Sequence, residues 1–204
     1  MPRKPNTETR RFEIVAAMLR VLAASGYDRA TVQAVAAEAG LAPGLIHYHF
    51  ESKREILLAL VEMLAGYVRG RYEARADAAG TPGGRLRAYI EARLGLGKGA
   101  DPSAVAAWVV IGSEAIRDAR VRAAYQKAIA AESALLRGLL GAYLEERGKS
   151  TGSAARLAAA LIAFIEGAFQ LSSAARDVMP KGYAAEVALQ LVERFVAGEP
   201  RRTR

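Results

Sequence analysis

Two short helical segments joined by a very tight turn constrain the fold of this chain more than any other feature. The first segment begins at Thr31 and closes at Gly40. Only two residues then precede Pro43, and proline is suited to the first position of a new helix. The second segment is short and ends at about His49. This spacing predicts a helix, a tight glycine turn and a second short helix, which is the layout of a helix-turn-helix.

Helical periodicity bounded by turn signals continues through the rest of the chain. Alanine makes up much of the apolar fraction of 52%, and alanine is the strongest helix former. No segment carries a strand pattern, so the predicted fold class is all-α, with nine helices. Besides the two segments above, the predicted helices cover about residues 7–25, 52–79, 85–96, 102–117, 119–147, 154–176 and 183–197.

Two local patterns make specific predictions about these helices. In the first helix, the spacing of Phe12, Val15, Leu19 and Leu22 predicts one buried apolar face. At the start of the fourth helix, Ser52-Lys53-Arg54-Glu55 has the form of a capping box, in which serine and glutamate satisfy each other's backbone donors.

Composition limits the classes of protein to which the chain can belong. It contains no cysteine, which excludes disulfides and thiolate chemistry. No apolar run approaches the ~20 residues of a membrane span, and the N-terminal residues are polar and charged. We therefore expect a cytoplasmic protein without a membrane partner. The net charge of +8 permits nucleic-acid binding but does not locate it, since residues 1–54 hold eight basic against five acidic residues.

The second short helix concentrates hydrogen-bonding side chains. His47, Tyr48 and His49 follow one another there, and such groups reach base edges or phosphates when a helix enters the major groove of DNA. The two histidines do not suit a metal, because residues two apart on a helix point about 200° apart. Lys53, just beyond, adds positive charge for another phosphate. We therefore predict DNA contact and no metal site.

The residues from Thr31 to Lys53 resemble the TetR/AcrR family of transcriptional regulators. The resemblance is carried by Thr31, Val35-Ala36, Ala39-Gly40-Leu41, Gly44, Ile46, Tyr48-His49-Phe50 and Ser52-Lys53. Within the family, GLIHYHFESKREIL from Gly44 to Leu57 is similar to the choline-response (BetI-like) branch. The pattern of Ala107-Trp108, Ser113-Glu114 and Arg117-Asp118 agrees with that branch but is far less specific.

The resemblance implies a two-domain architecture and a function. Residues 1–54 would form a three-helix DNA-binding domain, and residues 55–204 a helical domain that binds ligand and forms a homodimer through its last two helices. The expected partners are a double-stranded DNA operator and a small-molecule effector, with no cofactor. The expected DNA-contacting residues are Thr31, Ala42, Pro43, Gly44, Leu45, His47, Tyr48, His49 and Lys53.

This chain departs from the family pattern at two positions in the turn and the second helix. Ala42 stands where the family usually has Ser or Thr, and the chain thereby gives up an N-cap worth ~1 kcal/mol. Leu45 stands where Thr or Ser is usual and cannot donate a hydrogen bond. Base reading is therefore expected to depend more on His47 and on backbone groups, with a thymine methyl as a partner for Leu45.

Candidate ligand-binding residues lie on the predicted fifth to eighth helices, where the resemblance places a cavity. They are Tyr89, Trp108, Ile111, Glu114, Phe164, Glu166 and Gln170. Glu114 and Glu166 stand in apolar helices, where an ionised carboxylate is costly unless paired. Two interpretations stay open: ion pairs with arginines such as Arg93, Arg117 or Arg176, or contact with a cationic ligand near Trp108, Tyr89, Phe164 or Phe169.

The last two predicted helices carry more apolar surface than one helix pair can bury. Part of it must pack on the same chain and part on a second copy, which suits two DNA-binding units on a palindromic operator. The favoured function is a ligand-responsive regulator that an effector releases from DNA. The alternatives are a DNA-binding protein without an effector, and an all-helical enzyme, for which no catalytic residue is identified in the sequence.

Overall fold

The computed structural model describes residues 4–96 and 100–202, and of residues 4–6 the backbone only. In this part of the chain the ordered elements are nine α-helices and one 3-10 turn, Asp77–Ala79, without a β-strand. A single isolated bridge pairs Lys149 with Arg201. The helices are α1 (Lys4–Arg29), α2 (Val32–Ala39), α3 (Pro43–His49), α4 (Lys53–Ala76), α5 (Pro82–Leu94), α6 (Pro102–Arg117), α7 (Ala119–Glu146), α8 (Ala154–Ala174) and α9 (Tyr183–Gly198).

The predicted end of the first helix at Gly26 is confirmed, since Gly26 takes a positive φ of 73° that interrupts α1, and a short further helical stretch follows it to Arg29. Other predicted helix ends were wrong. The fifth helix begins at Pro82 rather than after Gly84, since Thr81 caps it by accepting a hydrogen bond from the Gly84 N–H at 3.0 Å. The eighth helix ends at Ala174, two residues earlier than predicted.

The buried face of α1 is centred on Ile14, Met18 and Leu22, none of which exposes any surface. Phe12 was predicted to share this face, and that prediction was wrong, because the side chain is 63% exposed. A helix turns by about 100° per residue, so Phe12 points some 200° away from Ile14.

Two compact units make up the structure. Unit 1 consists of the described residues of 1–66 and 101–128, and unit 2 of those of 67–100 and 129–204. In unit 1, α6 and α2 pack on α1, and α3 packs on α2. In unit 2, α5 packs on α9 and α8, and α8 packs on α9. Compactness does not report which residues bind DNA, so the functional division at residue 54 stays a prediction.

The helix α8 is both long and predominantly apolar. Its 21 residues include an 18-residue window of mean hydropathy 1.5, which is enough by length and composition to cross a membrane. The prediction that no segment is long and apolar enough for a membrane span was therefore wrong, because alanines keep the mean hydropathy of α8 high although Arg156 and Glu166 interrupt its apolar residues. A helix of a soluble core passes the same test, and Leu157, Leu161 and Ile165 of α8 are buried inside the protein.

Candidate DNA-binding surface and buried charged cluster

The turn between α2 and α3 is fixed by hydrogen bonds at both ends of α2. The Thr31 hydroxyl accepts from the Ala34 N–H at 3.1 Å and so caps the helix. At the other end, Gly40 takes a left-handed φ of 65°, and its N–H donates to the Ala37 carbonyl while the Leu41 N–H donates to that of Ala36. This pattern satisfies the last carbonyls of the helix and ends it sharply.

The short helix α3 is anchored by one side chain and exposes the others. Ile46 is fully buried, whereas Leu45 is 37% and Tyr48 is 78% exposed. His47 is also exposed. A large aromatic side chain such as that of Tyr48 is rarely left so exposed on a packed helix, so this face is available to a partner.

The N-terminal end of α3 is equally open. Ala42 is its N-cap, with extended backbone and no side-chain hydrogen bond, and Pro43 follows at the first helical position. Ala42, Pro43 and Gly44 are all exposed. The first turn of the helix is therefore exposed, and a DNA backbone or base edge has room to approach it.

His49 and the end of α3 are held by α1. Arg11 donates a hydrogen bond to the His49 carbonyl, and its guanidinium lies 4.0 Å from the centre of the Phe50 ring. His49 is half-buried, and its ring meets that of Tyr48 edge to face at 5.0 Å. His49 is therefore less exposed than Tyr48, and a DNA contact by His49 stays a prediction.

Lys53 is engaged inside unit 1. Its Nζ donates to the Tyr27 carbonyl at 2.9 Å and lies 3.9 Å from the centre of the Tyr27 ring. Burial raises the pKa of the Tyr27 hydroxyl, as does the charge of Glu114. An ammonium group has three donors, so a phosphate contact by Lys53 stays a prediction beside this internal bond.

The capping box predicted at the start of α4 is present with one difference. Ser52 Oγ accepts from the Glu55 N–H at 3.3 Å, as expected. The Glu55 carboxylate, however, accepts from the N–H of Glu51 at 2.7 Å rather than from that of Ser52. Both bonds still satisfy donors at the start of the helix.

In unit 2, a buried charged cluster joins α5, α7 and α8. Its centre is Arg93, whose side chain is only 5% exposed. Arg93 Nε lies 2.8 Å from Glu132 Oε1, and Arg93 Nη2 lies 3.5 Å from Glu166 Oε1. The same Glu132 oxygen accepts a hydrogen bond from the Tyr89 hydroxyl. The guanidinium carbon is 4.8 Å from the centre of the Phe169 ring.

The electrostatics of this cluster are unbalanced. Two carboxylates, Glu132 and Glu166, face one guanidinium, and an arginine stays charged in proteins. Burial and the charge of Glu132 raise the pKa of Tyr89 far above its usual value, so this phenol stays neutral. These groups therefore carry one net negative charge among aromatic rings, with Tyr72 meeting Tyr89 edge to face at 6.0 Å.

The structure divides the predicted ligand-binding residues between the two units. Trp108, Ile111 and Glu114 belong to unit 1. Trp108 is 7% exposed and stacks on Tyr125 at 5.0 Å between ring centres, and Ile111 is fully buried. Glu114 is half-buried, and its charge acts on the Tyr27 hydroxyl.

The remaining predicted ligand residues belong to unit 2. Tyr89 and Glu166 meet in the charged cluster, Phe164 is half-buried and Gln170 is exposed. The pairing of Glu166 with Arg93 was one of the two interpretations open from the sequence, and the geometry confirms it. A role of any of these residues in ligand binding stays a prediction.

Sequence reasoning missed Glu132 and Tyr72 as members of the cluster. Glu132 lies in the middle of the long helix α7, where an isolated glutamate usually faces solvent, so nothing local marked it. A signal was nonetheless present on α5, since Tyr89 and Arg93 stand four residues apart and so share one helix face. Two polar groups on one buried face require partners from another helix.

Within the described residues, no group of three or more His, Cys, Asp or Glu side chains is arranged to hold a metal ion. An open cleft of about 210 Å³ lies elsewhere in unit 2. Arg87, Tyr143 and Glu193 are among its lining residues, and the Glu146 carboxylate occupies one side by accepting from the Gly83 N–H at 3.1 Å.

Comparison with protein families gives two matches that together cover most of the chain. Residues 14–60 match the family of bacterial regulatory proteins called tetR, and residues 82–199 match the BetI-type transcriptional repressor C-terminal domain. Among curated proteins, the transcriptional regulator BetI of Rhizobium meliloti is 37% identical over 122 residues, which span 60% of each chain. The BetI of Agrobacterium fabrum is 30% identical over 83% of this chain and 79% of its own.

Solved structures agree with this assignment. A transcriptional regulator from Pseudomonas aeruginosa superposes with a TM-score of 0.79 at 25% identity, over 94% of this chain and 92% of its own. A regulator from Saccharomonospora viridis, solved in complex with choline, has a TM-score of 0.77 at 21% identity, over 96% and 100% of the two chains. The helix-turn-helix, the nine described helices and both family matches point the same way. The chain belongs to the TetR family of bacterial regulatory proteins, with a C-terminal domain of the BetI type.

Proposed function

We propose that the protein is a transcriptional repressor that binds a palindromic operator and is released from it by a small-molecule effector. The observation that carries the proposal is the geometry of α3. The buried side chain of Ile46 anchors the helix. The side chains of Leu45, His47 and Tyr48 are exposed, as is the first turn of the helix. A short, rigid helix that presents polar and apolar side chains together fits reading in the major groove.

The expected DNA contacts follow from the exposure of these groups. His47 and Tyr48 offer hydrogen bonds to bases or phosphates, and Leu45 offers an apolar contact to a thymine methyl. In the first turn of α3, Gly44 offers its N–H to a phosphate, whereas Pro43 has no N–H and the Leu45 N–H donates to the Ala42 carbonyl at 2.9 Å. Thr31 and Lys53 flank this surface and are assigned phosphate contacts.

The effector is proposed to be a small organic cation. The buried cluster around Arg93 supports this class, since it combines excess negative charge with aromatic rings, the surroundings that cations favour. The choline bound to the regulator from Saccharomonospora viridis points to the same chemistry. An effector releases DNA only if it binds the DNA-free conformation more tightly, and a ~100-fold preference corresponds to about 2.7 kcal/mol.

Dimerisation is proposed to use α8 and α9. Leu171 on α8 and Leu191 on α9 are 40% and 50% exposed in the single chain. Small residues that allow close approach, Ala159, Ala163 and Gly167, lie exposed along α8 as well. A two-fold axis through such a surface would place two copies of α3 on half-sites about 34 Å apart.

The relatives are named as transcriptional regulators, which favours this function over a catalytic one. A bacterial repressor acts on the chromosome, so the proposed location is the cytoplasm.

A band-shift titration tests the proposal, with the DNA upstream of the gene as probe and unrelated DNA as competitor. We expect a specific shift that weakens steeply with salt, because phosphate contacts release counterions. The double variant H47A/Y48A should lose sequence selectivity. The matched control is F12A, which removes another exposed aromatic side chain of unit 1, outside α3.

Two outcomes would count against the proposal. If H47A/Y48A kept wild-type selectivity while folded, α3 would not be the reading helix. If DNA bound normally but choline and related cations never released it, the protein would be a DNA-binding regulator without a cationic effector.

A further inference from the structure

The position of Arg93 in its cluster is that of a bound cation. Its guanidinium lies on the face of Phe169 at 4.8 Å and between the carboxylates of Glu132 and Glu166. An aromatic face with flanking carboxylates is also the arrangement that recognises a quaternary ammonium ion. The protein's own side chain thus fills a site whose chemistry suits a free cation.

The contacts that hold Arg93 there are incomplete. Its Nε is buried and lies 2.8 Å from Glu132 Oε1, yet at an angle that makes no hydrogen bond. The bond to Glu166 is long, at 3.5 Å. Glu132 Oε1 is shared with the Tyr89 hydroxyl, so it is not available to Arg93 alone. Buried arginines are normally held by well-aligned bonds, and Arg93 is held less tightly than its burial would require.

Charge balance makes an exchange of cations feasible. Removing Arg93 from the cluster would take away the guanidinium that pairs with both Glu132 and Glu166, and losing one partner of a buried ion pair is strongly unfavourable. A cation that enters as the guanidinium leaves restores the balance, so the cluster is never without a positive charge. The Glu166 side chain, 27% exposed, marks the side of the cluster nearest to solvent.

We propose that the Arg93 guanidinium occupies the effector site in the free protein. A small quaternary ammonium ion then binds between Glu132, Glu166 and Phe169 by displacing this guanidinium. The proposal rests on the cationic effector class proposed above. It adds that the Arg93 guanidinium competes with the ligand for the site, and that ligand binding displaces this side chain of α5. The apparent affinity is then the affinity of the open site multiplied by the fraction of molecules in which Arg93 has left it.

The test is calorimetric titration of the full chain with choline chloride. The variant R93M should bind choline about tenfold more tightly than wild type, as expected when an open state of roughly one-tenth population becomes the main one. R87M makes the same change on an exposed position of α5 and should match wild type. The neutral isostere of choline, with a tert-butyl group in place of the trimethylammonium, should bind neither protein.

A second variant keeps the test decisive if R93M folds poorly. R93M/E132Q removes the guanidinium together with one carboxylate charge, and it should bind choline more tightly than the single variant E132Q, in which Arg93 still occupies the site. Weaker or unchanged choline binding by the folded variants would overturn the proposal, as would absence of binding in all of them. Operator binding by the wild type without choline is measured separately, so failure of the repressor function would be recognised independently.

Discussion

Arg54 and Asp118 form an ion pair of 2.7 Å between Nε and Oδ2, which links the first turn of α4 to the turn that precedes α7. Asp118 also caps α7, since its Oδ1 accepts from the N–H groups of Arg120 and Val121 at 2.8 and 3.1 Å. One carboxylate thus joins the helix after the helix-turn-helix to the end of α6. This link belongs entirely to unit 1 and is independent of the predicted ligand residues in unit 2.

The first prediction concerns the pH dependence of this link. The pKa of Asp118 is held below its ordinary value of 3.8, mainly by the Val121 N–H, then by that of Arg120 and the charge of Arg54. Because the folded state favours the charged form, the stabilisation is present above that value and is lost as pH falls through the lower, folded-state pKa. D118N should therefore unfold at lower urea concentration than wild type near neutral pH.

The difference in urea unfolding midpoint between D118N and wild type should disappear in acid, where Asp118 becomes protonated. Asparagine keeps an oxygen that can cap α7, so the expected loss is that of the charge alone. A difference in midpoint that persisted unchanged below the folded-state pKa of Asp118 would show that the substitution acts through something other than ionisation.

The second prediction separates the two sides of α3. I46A removes a fully buried side chain and should lower the free energy of unfolding by about 2–5 kcal/mol. Y48A removes a side chain that is 78% exposed, so it should leave stability nearly unchanged while weakening operator binding. Urea denaturation and band shift on both variants provide the measurement. Equal stability losses in the two would contradict the assigned orientation of α3.

The helix-turn-helix could be predicted closely from sequence because its signals are local. A threonine cap at Thr31, a left-handed glycine at Gly40 and a proline at Pro43 each act within a few residues, and the structure places α2 and α3 at the predicted bounds. The exposure of Phe12 could not be read in this way, since periodicity indicates a stripe but not its centre.

The charged cluster was predicted only in part for a related reason. The partners Arg93 and Glu166 are 73 positions apart in the chain, and Glu132 comes from a third helix. Such a contact depends on how helices pack, which spacing along a single helix does not encode. The sequence indicated that Glu166 needed a positive partner but offered three arginines without a way to choose among them.

The third prediction concerns the missing cap of α3. Ala42 has the extended backbone of an N-cap, φ −70° and ψ 140°, but no side chain to accept a hydrogen bond. A42S should supply one and raise the free energy of unfolding by about 1 kcal/mol. A37S, an exposed alanine inside α2, is the matched control and should be neutral or slightly destabilising. The comparison is made by urea denaturation, and equal shifts in both variants would rule out a capping effect.

The fourth prediction tests the proposed dimer surface. Leu191 on α9 is 50% exposed, and Leu171 on α8 is 40% exposed. Exposed apolar side chains that together form a patch indicate a surface that a partner covers. If a second copy covers it, L191E buries a carboxylate without a partner and should weaken dimerisation by more than about tenfold. The matched control is V178E, which introduces the same charge at an even more exposed apolar residue, 81%, outside both helices. Sedimentation equilibrium over a range of concentrations should show L191E shifted towards monomer and V178E like wild type.

Operator binding should weaken in parallel with dimerisation, because each monomer alone reaches only one half-site. A fully dimeric L191E with normal operator binding would place the two-fold contact elsewhere on the chain.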